Sequence, residues 1–109
     1  MNILEQSKQF TKSETYKLTR GQSINMKDAI GDKFKPVGYI LYEEENSRGE
    51  NVEILAVLAD NGKVYSTMSQ TFKREFDFIW NLMDGDEFEL LVIGGVTKAN
   101  IDYVSCTLA

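Results

Sequence analysis

The chain has 109 residues, 42% of them hydrophobic, with one cysteine, no histidine and a formal net charge of −5. This length accommodates a single domain over residues 1–109 and suffices for folding without metal or disulfide. Cys106 has no partner for an internal disulfide, and the missing histidines argue against zinc sites and His-based catalysis. No signal-peptide pattern, membrane-length apolar run or lipidation signal is present, so the expected location is the cytoplasm.

Charge is spread unevenly. Residues 1–40 hold seven Lys/Arg and four Asp/Glu, whereas residues 41–109 hold five against thirteen. An acidic total is a poor footprint for nucleic-acid binding, yet this distribution leaves room for a basic face.

In chain order, residues 1–11 carry too few apolar positions to choose between a flexible arm and a helical turn. In TKSETYKLTRG, Thr15 to Thr19 reads as a strand, with Tyr16 and Leu18 on one face and Lys17 on the other. Met26 and Ile30 are spaced for one helical turn ahead of Gly31. Pro36 then precedes VGYILY, residues 37–42, a strand rich in branched and aromatic side chains. NVEILAVLA, residues 51–59, is apolar enough throughout to be a central strand. Asp60-Asn61-Gly62 is a hairpin turn, from which KVYST returns as a short strand.

The period then changes. Phe72, Phe76, Ile79, Trp80 and Met83 form one stripe of a helix from about Thr71 to Met83, capped by Ser69 or Thr71 and ended by Asp84-Gly85-Asp86. Phe88–Ile93 and Ile101–Leu108 make a final hairpin. This order predicts a mainly β domain: a five-stranded OB-fold-like barrel with one helix between strands three and four. Closure would remove the exposed edges of a small sheet. The rival is an open α+β sheet with the helix across one face.

Aromatic and basic residues interleave in a way that suits unpaired bases and their phosphates. Tyr39 and Tyr42 should face opposite ways, one into the core and one outward, where it can stack a base. Tyr16, Tyr65 and Tyr103 are further stacking candidates; Lys17, Arg20, Lys35, Lys63 and Lys98 are the phosphate candidates. Lys73 and Arg74 add charge at the helix start, where its free amides could also meet phosphates. Gly94 and Gly95 read as a bulge or tight bend for barrel closure, because the strand-loop-helix context of a phosphate-binding loop is absent. The carboxylates follow no calcium-loop spacing and form no evident catalytic pair, so neither metal nor enzymatic activity is expected.

The stretch YSTMSQTF with the following helix, and then GGVTKANIDYVSC, resembles small replication-associated proteins of phages and prophages of low-GC Gram-positive bacteria. The similarity spans residues 20–108 and rests locally on Tyr65, Thr67, Ser69, Phe72, Thr97, Lys98 and Tyr103. It implies an OB-fold that binds single-stranded DNA during phage replication or recombination in a bacterial host. A second basic residue often follows the lysine in that family's last hairpin; here Ala99, Asn100, Ile101 and Asp102 follow Lys98. The sequence closes on Cys106-Thr107-Leu108-Ala109 at the last strand, so recruitment of partners through the acidic C-terminal extension common in single-strand-binding proteins is not expected.

The leading expectation is thus a non-enzymatic, sequence-tolerant single-stranded DNA-binding domain without cofactor. Replication or recombination proteins and a second copy are candidate partners, and no membrane is expected. The alternative is a protein-interaction module that uses its acidic surface and binds no nucleic acid.

Overall fold

The two most apolar runs pair with each other and form the middle of the protein. In the computed structural model, which describes residues 1–109, the strands are β1 Asn2–Gln6, β2 Ile24–Asn25, β3 Lys33–Phe34, β4 Pro36–Glu45, β5 Asn51–Ala59, β6 Val64–Thr67, β7 Leu90–Val96 and β8 Asp102–Leu108. The helices are α1 Lys12–Arg20 and α2 Gln70–Met83, and Met26–Asp28 makes a 3-10 turn. No helix is long and apolar enough to cross a membrane.

A five-stranded sheet runs in the order β1-β4-β5-β6-β2, with β5 at its centre. Pairing is antiparallel except for β2 on β6. The β5–β6 hairpin forms at the expected turn: Gly62 takes φ +85, and the Asn61 side chain accepts the Lys63 N–H at 2.9 Å. Alternation sends Tyr39, Leu55, Val57, Ala59 and Tyr65 to one face, where they meet Phe72, Phe76 and Ile79 of α2 and Leu90, Val92, Val104 and Cys106 of a second sheet. Ile40, Tyr42, Ala56 and Val64 point the other way and meet Phe10 and Leu18. Both faces are buried, which is why β5 reads as continuously apolar.

The expected closed barrel is not formed. The second sheet contains three strands, β3-β7-β8, and no ladder joins it to the first. Along β8 the chain places a helix start, with the Ser69 hydroxyl donating to the Val104 carbonyl at 3.0 Å. The open α+β rival is nearer, although the structure has two sheets and two α-helices where that rival has one of each. With the barrel goes the OB-fold binding groove on which the DNA-binding expectation relied. The glycines of the last hairpin also do something else. Pairing from Leu90 to Val96 is unbroken, while a Cβ on Gly94 would stand 2.5 Å from Ile30 Cδ1 and one on Gly95 3.3 Å from the Tyr103 ring. They admit neighbouring side chains rather than a bend.

The first expected strand is helix α1. Thr11 caps it: its hydroxyl accepts the Glu14 N–H at 3.1 Å, and the Glu14 carboxylate accepts the Thr11 N–H at 2.9 Å. Only Leu18 is buried, so the apparent alternation of Tyr16 and Leu18 marked no strand face. Residues 2–6 form β1 on the edge of the large sheet, and the Phe10 ring lies over Gly38, where a Cβ would stand 3.0 Å from Cζ.

Helix α2 agrees with its periodicity, with Ser69 as cap and Asp84 left-handed at φ 46. Phe72 and Phe76 are fully enclosed, whereas Trp80 is half-buried, edge-on to Tyr39 at 5.2 Å and to Phe88 at 6.2 Å. Urea denaturation should therefore show that Phe76→Ala costs about 3–5 kcal/mol. The same change at the exposed Phe78 should stay within about 0.5 kcal/mol. Similar losses at both sites would overturn this assignment of the helix faces.

Candidate nucleic-acid interface

The expected binding residues divide into three groups. Tyr39, Tyr42 and Tyr65 are buried. Tyr39 and Tyr42 do face opposite ways, but each face of the large sheet has a cover, so neither is free to stack a base. The Tyr39 hydroxyl donates to the Glu5 carboxylate at 2.6 Å, its N–H donates to the Ser7 hydroxyl at 2.8 Å, and its ring meets Phe76 edge-on. The Tyr42 hydroxyl donates to the Thr19 carbonyl at 3.3 Å, tying the sheet to α1. Tyr65 stacks on Phe34 at 4.1 Å and 6°. These rings are core.

The second group lies on the smaller sheet and its surroundings. Lys35 is paired with Glu87 at 2.8 Å, an ion pair that raises the lysine pKa and lowers that of the carboxylate. Lys98 is exposed in the β7–β8 turn, and Tyr103 is exposed on β8 beside Gly95. They form no continuous groove with the buried strand tyrosines.

The third group comes together. Tyr16, Lys17 and Arg20 belong to α1, and Lys12 precedes Tyr16 by one helical turn. Because Leu18 holds the opposite side against the sheet, Lys12, Tyr16, Lys17 and Arg20 are all exposed, Tyr16 by 67%. Lys17 Nζ reaches to 3.6 Å from where a Cβ on Gly62 would stand, beside Lys63 in sequence. A cleft of about 250 Å³ separates α1 from this turn, lined by Glu14, Lys17, Leu18, Val37, Asp60 and Gly62. Lys8, over the Phe10 ring at 5.4 Å, extends the basic surface. Residues 8–20 hold four cations and one carboxylate, and that carboxylate, Glu14, is committed to the helix cap. Arg20 shares its charge with Glu44 at 3.0 Å.

The sign reverses across the sheet. Residues 75–89, from the body of α2 through the turn after it, contain six acids and no Lys or Arg. The cations at the start of α2 sit differently. Lys73 donates to the Glu53 carbonyl at 2.7 Å, and desolvation lowers its pKa. It and Arg74 share a cleft of about 310 Å³ with Glu5 and Asp77, which balances their charge. No group of three or more His, Cys, Asp or Glu is placed to hold a metal ion.

Two measurements check this placement. Burial raises the pKa of Tyr39, Tyr42 and Tyr65, so the unfolded chain releases these protons at lower pH than the folded one. Their contribution is fully present below the ordinary phenol value of about 10 and is lost as pH rises through the folded-state values. The urea midpoint should therefore drop between about pH 9 and about pH 11, on either side of that phenol value. The Cys106 thiol, buried and pushed up to about 12, should resist a thiol reagent in native protein near neutral pH and react after denaturation. Comparison of the chain with protein-family models, curated proteins and solved structures finds no match in any of the three.

Proposed function

We propose that the protein binds single-stranded DNA, with little sequence preference, on the outer face of α1. The observation that carries this reading is the exposed Tyr16 ring surrounded on one helix by Lys12, Lys17 and Arg20. A flat ring among cations offers a surface for an unpaired base and its neighbouring phosphates, and stacking accepts any base. The segregation of charge supports the same reading. Phosphates attracted to α1 are separated by the large sheet from the acidic end of α2. The resemblance of YSTMSQTF and GGVTKANIDYVSC to replication proteins favours the same ligand and a setting in replication or recombination.

This surface differs from a barrel groove in its residues. Tyr16, Lys17, Arg20 and Lys63 remain, Lys8 and Lys12 join them, and the buried Tyr39, Tyr42 and Tyr65 act as structural supports. The reading requires no metal, nucleotide or catalytic group.

Fluorescence anisotropy with an unpaired oligomer of about 30 nucleotides and the matching duplex, each at two salt concentrations, tests the proposal. The single strand should bind more tightly, and its affinity should fall as salt rises. Tyr16→Ala should cost about 1–3 kcal/mol of binding per stacked base. Lys12→Ala with Lys17→Ala should flatten the salt slope by about 0.7 for each phosphate left without its lysine. Lys98→Ala, in the β7–β8 turn, should have less effect. Absence of single-strand preference at low salt would reject the proposal, as would equal losses from Lys98→Ala and the α1 changes.

A further inference from the structure

The side of α2 opposite its buried stripe is not an ordinary polar helix surface. Phe78 and Leu82 lie one turn apart and are 63% and 62% exposed, while Phe72, Phe76 and Ile79 hold the other side in the core. Phe78 follows Arg74 by one turn and Glu75 by three residues; beyond Leu82 come Asp84, Asp86, Glu87 and Glu89. Single exposed apolar residues are commonplace. A phenylalanine and a leucine adjacent on one rigid helix, next to a stretch without cations, form a surface suited to selective contact.

Charge identifies the occupant. Of the six carboxylates between residues 75 and 89, Asp77 shares its cleft with Lys73 and Arg74 and Glu87 is paired with Lys35, whereas Glu75, Asp84 and Asp86 enter no ion pair. Nucleic acid and anionic lipid would be repelled. A cationic protein segment carrying an apolar face would bury Phe78 and Leu82 while its Lys or Arg residues met the carboxylates. We propose that the outer face of α2 docks a basic amphipathic segment of another protein. The site is across the large sheet from α1 and is independent of what α1 binds.

Two synthetic helical peptides of equal length and positive charge provide the probe, one with leucines along one face and one with serines in their place. Titration of the isotopically labelled full-length protein by NMR should show the leucine peptide binding at least tenfold more tightly, with shifts concentrated at residues 74–86. The double variant Phe78→Ser, Leu82→Ser should lose at least tenfold while keeping the wild-type fold by circular dichroism. If it loses the fold, Phe78→Ser alone and the wild-type shift map decide the same question. Asp84→Asn with Asp86→Asn should weaken binding and its salt dependence. Equal binding of both peptides, shifts centred elsewhere, or unaltered affinity in the folded variant would overturn the proposal. So would concentration-dependent self-association that the Phe78 and Leu82 changes abolish, since the occupant would then be a second copy.

Discussion

The large sheet has to be covered on both faces. Its β4 and β5 strands send apolar side chains each way, Tyr39 and Val57 to one side, Ile40 and Ala56 to the other. Leaving either set in water would forfeit burial worth roughly 1.5–3 kcal/mol for each large side chain. The chain meets this constraint asymmetrically. Helix α2 and the smaller sheet close one face, whereas Phe10 and the single buried leucine of α1 close the other. The two helices consequently lie on opposite sides, and each presents to solvent whatever its outer residues carry.

That arrangement turns a charge gradient along the chain into two chemically different surfaces. On α1 the outer residues are lysines, an arginine and a tyrosine; on α2 they include a phenylalanine and a leucine that run into an acidic turn. A net charge of −5 conceals both. Binding depends on local potential, and a sheet about 10 Å from its neighbouring layer keeps opposite signs apart over roughly a Debye length.

The tyrosines show the competing demands on an aromatic ring in a small domain. A ring that stacks a base must remain partly exposed, whereas the same ring contributes most to folding when enclosed. Tyr39 is committed to the fold at several points. It holds Ser7 through its backbone and Glu5 through its hydroxyl, and its ring packs against both Phe76 and Trp80. Tyr65 is fixed by Phe34, which belongs to the smaller sheet, so that stack links the two sheets without any hydrogen-bonded ladder. Tyr16 has no such partner and stays in solvent.

Local patterns in the sequence were sufficient for α2, for the β4–β5–β6 run and for the turn at Gly62, because periodicity, capping and positive φ act within a few residues. Helix α1 was also legible: Thr11 and Glu14 are spaced as a capping box, but the alternation of Tyr16 and Leu18 obscured it. Opposite directions for Tyr39 and Tyr42 followed from strand geometry alone. Their shared burial did not, since it depends on α1 packing across a face that an OB-like barrel would have left open. Closure itself is a matter of pairing between distant segments, and β8 meets α2 where a barrel would need a further ladder. The residues contain the charge and the rings; only long-range packing decides which rings are enclosed and which charges share a face.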